Sequence, residues 1–378
     1  MNRSTGRSSQ VDVAVVGLGP AGRALAHRLL QAGAEVLVID PCPERVWRQT
    51  LSGWRHQLPG WLDDQVVAST ARPVLRTRGT QEIDDPYLVL DNTALHTRLS
   101  LAGARVEETR VGPDGFAALT SRAHWVIDAR GATPAGRRRR VPMQTAHGVV
   151  VPTRAAAGVL AGAEAVLMDW TPFDGSSRWQ EPASFLYAVE VAPGRELLEE
   201  TCLAGEPPLP PAELQRRLHR RLQRYGVPPD AIEGPGATIE RVRIPMLPSA
   251  ADPLPDRVIR FGAAGGQLNP ITGYSALASL RDTDTWVNAL TRGDPGRLPQ
   301  RPDPLARTAL GAFLQLSPAA TVELFDAFAR LPTEQQRVVF DGRGAGFPAA
   351  LFAQWQAMPP AGRLALIAAT ARSLLTAR

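Results

Sequence analysis

The sequence predicts an α/β fold: a parallel-sheet domain interrupted by a β-rich lobe and followed by a helical C-terminal region. Three observations carry that expectation. Near the start, two apolar runs at residues 11–16 and 35–39 bracket a glycine-rich turn and a helix-length segment that stops at Gly33. Far downstream, two more apolar runs at 125–128 and 257–261 lead into glycines, as strands returning to one sheet would. Beyond Pro304 the apolar residues recur at helical spacing, as at Leu310, Phe313 and Leu314, then Leu324, Phe325, Phe328 and Leu331.

Taken in order, the first run, Val-Asp-Val-Ala-Val-Val, reads as a short buried strand of a parallel sheet. Gly17-Leu18-Gly19-Pro20-Ala21-Gly22 follows at once, and a helical pattern continues to Gln31. In this strand–turn–helix–strand setting G-x-G-x-x-G is a Rossmann-like dinucleotide fingerprint. Gly17 makes the tight turn, Gly19 lets a pyrophosphate approach the backbone, and Gly22 lets the helix pack on the strand. The helix N-terminus offers free N–H groups and a positive dipole end to the phosphates. Asp40 ends the second strand, where a carboxylate holds ribose hydroxyls. A single fingerprint in the N-terminal region suits FAD more than NAD and places the fold with the monooxygenase-like flavoproteins.

Between the returning strands, residues 165–168, 184–191 and 238–244 are strand-like, and 211–225 read as a basic amphipathic helix. The expected FAD-binding domain is discontinuous, at 11–75, 120–145 and 255–295. The substrate-covering lobe takes 76–119 and 146–254. A proline-rich linker at 295–304 precedes the helical region, 305–378. No internal repeat is visible.

Composition excludes several chemistries. The 42 basic residues are all arginine, so no lysine can form a Schiff base or serve a Walker-type P-loop. Net charge is only +5, and its one dense run, Arg137 to Arg140, reads as a solvated loop, with an anionic membrane surface or a cofactor phosphate as the sharper alternatives. No basic-aromatic interleaving suggests nucleic acid. Cys42 and Cys202 are too few for a disulfide framework or a metal site, which fits a reducing cytoplasm. The first ten residues are polar, unlike a signal peptide, and no stretch reaches the ~18 apolar residues of a membrane span.

Later motifs narrow the class. In order come I-D-A-R-G at 127–131, Q-T-A-H-G at 144–148, Met168-Asp169-Trp170, F-L-Y-A-V at 185–189, L-L-E-E-T at 197–201, Ile244-Pro245-Met246, and F-G-A-A-G-G-Q-L-N-P-I-T-G-Y at 261–274. With the dinucleotide fingerprint, this series resembles the lycopene cyclases of bacteria and plants over nearly the whole chain from Asp12. Two departures stand out: Trp54-Arg55-His56-Gln57 replaces a tryptophan followed by an acidic pair, and Asn269 stands where the family usually has histidine.

The resemblance implies a non-redox cyclisation of the linear ends of lycopene to β-ionone rings, giving γ-carotene, β-carotene or both. Such a reaction needs an acid, a negative stabiliser for a carbocation, and a dry slot. The family's proton-transfer glutamate carries over to Glu199. A carboxyl group in an apolar pocket keeps its proton near neutral pH. On a strand Glu200 would face the other way, as a structural hydrogen-bond partner or a solvent residue. His147 is a second, weaker candidate. The resemblance also implies reduced FAD as the stabiliser, with NADPH or NADH only keeping it reduced. Arg130, Gly131, Gly265, Gly266, Thr272 and Gly273 join the cofactor-binding set. The aromatic stretch of Trp170, Phe173, Trp179, Phe185 and Tyr187 reads as core packing or as a tunnel wall.

An apolar substrate implies peripheral attachment to the inner face of the cell membrane, with residues 349–375 either facing lipid or packing on the core. Other carotenoid-pathway enzymes are conceivable partners. Two rival readings share the fold: an FAD-dependent monooxygenase or desaturase of an apolar isoprenoid, and a prenyl-lipid escort protein that has lost the flavin.

Overall fold

The computed structural model describes residues 10–112, 114–132, 141–179, 181–234, 236–247, 254–298 and 303–376. The arginine run at 137–140 lies outside them. The chain opens with β1 (Val11–Val16), α1 (Pro20–Gln31) and β2 (Val36–Ile39), then β3 (Ser52–Trp54), β4 (Val67–Ala71), β5 (Pro73–Arg76), β6 (Thr80–Glu82) and β7 (Tyr87–Leu90). After α2 (Asn92–Arg98) come β8 (Arg105–Glu107), α3 (Gly115–Leu119) and β9 (Ala123–Asp128). The lobe continues with β10 (Met143–Pro152), α4 (Ala157–Leu160), β11 (Ala165–Asp169), β12 (Phe185–Ala192), β13 (Arg195–Gly205), α5 (Pro211–Arg224), α6 (Pro229–Glu233) and β14 (Thr238–Pro245). The chain returns through β15 (Val258–Arg260) to α7 (Ala276–Thr291). It ends in α8 (Pro304–Phe313), α9 (Pro318–Ala329), α10 (Thr333–Asp341), α11 (Phe347–Ala357) and α12 (Pro360–Thr376).

The fold class is the one expected. A parallel five-stranded sheet runs β15-β9-β1-β2-β8. Its central strands are buried on both faces, which is why they read as apolar runs rather than alternating ones. Helix α1 crosses from β1 to β2 and packs against α7. The second sheet is mixed and seven-stranded, in the order β14-β10-β13-β12-β11-β5-β6. A small antiparallel sheet, β3-β7-β4, links the two.

Strand pairing cuts across two boundaries drawn from the sequence. Arg105–Glu107, inside the expected lobe, pairs with β2 at the edge of the parallel sheet, whereas Pro73, Val74 and Leu75, inside the expected FAD-binding stretch, pair with β11. An exposed edge strand reading Arg-Val-Glu carries no apolar run by which to find it.

The two longest strands, β10 and β13, hold the site, and both are buried almost throughout. Their burial is two-sided. Leu198, Val149, Val151 and Leu186 pack under Leu218 and Leu222 of α5, while Leu197, Phe185 and Tyr187 on the other face join a core shared with Phe325, Phe328 and Phe340 of the C-terminal helices. Two arginines of the basic helix α5 lie inside: Arg221 is buried and bonds to Glu200 of β13, and Arg217 is buried against Glu213, the Pro182 carbonyl and Ser184.

Candidate active site

Four strands lay one cross-strand row over the inner face of the seven-stranded sheet: Glu240 opposite Gly148, Gly148 opposite Glu199, and Glu199 opposite Tyr187. Side chains in register on adjacent strands share a face. This row borders a cavity of about 330 Å³ whose walls include Ala146, Thr201, Phe185 and Leu197. Gly148 leaves room beside Glu199: a Cβ there would lie 3.1 Å from the Glu199 Cβ and 2.7 Å from the Leu197 Cδ1, so both side chains would have to shift.

Glu199 is buried, and its Oε1 accepts a hydrogen bond of 2.8 Å from Thr201 Oγ1. Burial, reinforced by the negative charge of Glu240, pushes its carboxyl up to about 8. The acid therefore keeps its proton at neutral pH. Glu240 is itself raised by burial, and accepts from the Thr50 N–H at 2.8 Å and the Thr50 hydroxyl at 2.7 Å.

Opposite Glu199 sits a cluster of hydroxyls. Tyr87 Oη lies 2.6 Å from Tyr274 Oη and 3.1 Å from Tyr187 Oη, and donates to Ser52 Oγ at 2.8 Å. Burial raises all three phenols well above their ordinary value, so they stay neutral. Sequence reasoning reached Tyr187 through its aromatic stretch but missed Tyr87, Ser52 and Glu240. They are distant in sequence and meet only through strand register.

The next row faces the other way: Arg241 opposite His147, His147 opposite Glu200, and Glu200 opposite Leu186. Glu200 is fully buried in an ion pair with Arg221, with Oε2 2.8 Å from Nε, and its Oε1 accepts from Ser184 at 2.6 Å. Burial and the Arg241 charge lower His147 to about 4, so it stays neutral on the α5 side of the sheet, away from the cavity. Of the aromatic stretch, Phe185 and Tyr187 line the cavity. Trp170 instead stacks on Phe325 at 4.7 Å in the core, and Phe173 lies under Arg216 and Arg217.

At the dinucleotide turn, Gly17 has φ +95°, and a Cβ there would sit 2.8 Å from the Ala129 carbonyl. A Cβ at Gly22 would fall 2.0 Å from the Gly17 carbonyl oxygen, whereas at Gly19 nothing lies within 4 Å. Helix α1 begins with Pro20 and Ala21, with no side-chain cap on its first N–H groups. Asp40 braces the turn, accepting from the N–H groups of Leu18 and Cys42, each at 2.8 Å. Arg130, beside Gly131, is engaged by Asp128 at 2.8 Å. The glycine run ends in a single turn of 3₁₀ helix, Gly262–Gly265, capped by Gly266. The loop after it buries Gln267 with neither amide atom hydrogen-bonded, then supplies Thr272, Gly273 and Tyr274 to the wall of the Glu199 cavity. This one loop borders both regions. An open approach at Gly19, uncapped helix N–H groups and an unpartnered buried amide beside the loop are the features a bound dinucleotide would use.

The Lycopene cyclase protein family model matches residues 12–346. The chain belongs to the lycopene cyclase family. It is 32% identical to an uncharacterized carotenoid cyclase of Deinococcus radiodurans, over 86% of this chain and 84% of that one. To the chloroplastic lycopene beta cyclase of Nicotiana tabacum it is 28% identical over 74% of this chain, and it spans only 60% of that protein's length. Among solved structures, a probable FAD-dependent monooxygenase from Pseudomonas aeruginosa shares the fold, with a TM-score of 0.52 and 16% identity over 88% of this chain and 99% of that one.

Both departures from the family pattern attach to one end of α10. Asn269 Nδ2 donates to the Phe340 carbonyl at 2.5 Å, and its Oδ1 accepts from the Ile271 N–H at 2.8 Å. Gln57 Nε2 donates to Asp341 Oδ1 at 2.8 Å, and His56 lies 3.7 Å from the same carboxylate. In this cyclase the two altered segments thus clamp Phe340 and Asp341, and Phe340 is a wall of the Glu199 cavity.

Proposed function

We propose that this protein is a lycopene cyclase that closes linear ends of lycopene into β-ionone rings by acid-initiated isomerisation, giving γ-carotene, β-carotene or both. The observation that carries this reading is Glu199: a buried carboxyl, protonated at neutral pH, on the wall of a largely apolar cavity.

Glu199 would donate its proton to the terminal double bond. The neighbouring double bond attacks the resulting cation and closes the ring. Loss of a ring proton, returned to the Glu199 carboxylate, restores both the double bond and the acid. Electrons and atoms balance with no oxidant. Gly148 leaves room for the Glu199 side chain, Thr201 orients it, and the Glu240 charge helps keep it protonated until the transfer. Neutral Tyr187 and Tyr274 on the cavity wall would bring no competing charge to the cation.

The residues present fit FAD. Gly17, Gly19, Pro20, Ala21 and Gly22 with the start of α1 would hold the pyrophosphate, and Asp40 the ribose. Arg130, Gly131, Gly265, Gly266, Thr272 and Gly273 would flank the rest. When bound and reduced, by NADPH or NADH, FAD supplies negative charge next to the reacting carbons without net redox. The decisive experiment is expression in lycopene-accumulating cells with pigment chromatography, beside Glu199→Gln. Cyclic product from the unaltered protein and little from the variant supports the proposal; oxygen consumption with an oxidised product would favour the monooxygenase reading.

A further inference from the structure

A second cavity, of about 200 Å³, adjoins the first across a common wall. It shares Met168, Leu203, Thr272 and Phe340 with the Glu199 cavity and runs between α8, α9, α11 and α12. Its remaining walls are almost wholly apolar, with Leu310, Phe313, Phe325 and Phe328 on one side. The polar side chains that reach it are already engaged by backbone: Thr308 Oγ1 donates to the Pro304 carbonyl at 3.0 Å, Thr370 Oγ1 to the Leu366 carbonyl at 2.8 Å, and Gln354 Nε2 to the Leu324 carbonyl at 3.1 Å. A polar ligand would find no charge there and little hydrogen bonding, so it would lose its hydration without replacement. A hydrocarbon loses nothing. At its outer end the cavity reaches exposed Leu305 and half-buried Leu366 and Thr370.

From this we infer that the C-terminal helices form a hydrocarbon tunnel: the length of polyene behind the reacting end lies between α8, α9, α11 and α12. The inference rests on the cyclase reading for the identity of the chain and for the end that enters first. Phe340 stands at the junction. It packs on Trp54 at 4.5 Å and Phe328 at 5.0 Å and borders both cavities. The helical region is then half of the substrate site rather than a cap on the fold, and the clamp of Asn269 and Gln57 on α10 sets the width of the passage.

The test fills the tunnel away from Glu199. Ala309→Trp and Thr370→Trp place an indole at half-buried wall positions, and Ala309→Leu is a smaller plug if the indole prevents folding. Ala361→Trp, exposed on α12, is the surface control. Each full-length variant is checked for flavin binding and melting temperature, then titrated with lycopene in detergent micelles by the visible absorption of bound polyene. Folded, flavin-loaded plugs are expected to bind lycopene about tenfold more weakly, ~1.4 kcal/mol, while the control binds as the unaltered protein does. Plugs that bind lycopene unchanged would overturn the tunnel. Failure of the cyclase reading looks different: the unaltered protein would bind the polyene and return it linear, whatever the plugs did.

Discussion

In the proposed cyclisation the chemistry turns on whether one carboxyl keeps its proton, and pH tests that directly. With Glu199 at about 8, turnover is expected to hold through neutral pH and to fall as pH rises through about 8, where the proton is lost. The stability sign agrees. The folded value lies above the ordinary 4.5, so between those two values the native state retains a proton the unfolded chain has released. Stability from this group is intact below about 4.5 and is lost as pH rises towards 8. Glu240→Gln removes the neighbouring negative charge, so the falling limb of the pH–rate profile should move to lower pH; an unmoved limb would sever that coupling. Glu199→Gln should cost ~10²–10⁴-fold in turnover with flavin binding intact. Glu200→Gln should behave differently. It leaves the buried Arg221 charge with only the Asp169 carboxylate, 4.0 Å away, to balance it, and breaking a buried pair costs up to ~3–5 kcal/mol, so denaturant unfolding should shift while the folded fraction still cyclises.

At the scale of elements, the two glycines flanking Pro20 separate folding from cofactor binding. Gly19→Val adds a side chain into open space, so the melting temperature of flavin-free protein should hardly change while flavin uptake is lost. Gly22→Val drives its Cβ into the Gly17 carbonyl, so it should fail to fold; equal melting temperatures for the two would contradict the packing described. This unit was the most legible part of the sequence because its signals are local: a strand, three glycines and a helix within a short stretch. The inner row was half legible. L-L-E-E-T pointed at Glu199 through family resemblance, and strand alternation then explains why Glu200 faces α5. Glu240 reaches the cavity, and Tyr87 the hydroxyl cluster behind its wall, only through pairing between strands far apart in the chain, for which a single sequence carries no signal. Strand β8 escaped notice because an exposed edge needs no apolar run.

For the whole molecule, the proposed function raises the question of how a substrate dissolved in lipid would reach the buried Glu199. Among the described residues no helix is long and apolar enough to cross a membrane. Helix α12 nonetheless exposes Leu364, Ile367, Leu374 and Leu375 on its outer side, with Phe352 on α11, while Leu366 and Thr370 of the same helix line the inner cavity. A helix apolar on both sides suits one that faces lipid outward and hydrocarbon inward. Arg363, over the Trp355 ring at 5.7 Å, offers a cation at the interface. Leu364→Asp with Ile367→Asp should therefore weaken sedimentation with anionic liposomes. Burying one such side chain is worth ~1.5–3 kcal/mol, so the pair should lower partitioning by more than about tenfold. Turnover of lycopene delivered from liposomes should fall in parallel, whereas turnover in detergent micelles, which bypasses docking, should fall far less. If the double variant sediments as well as the unaltered protein, this face does not meet the membrane, and the tunnel mouth must be reached from elsewhere.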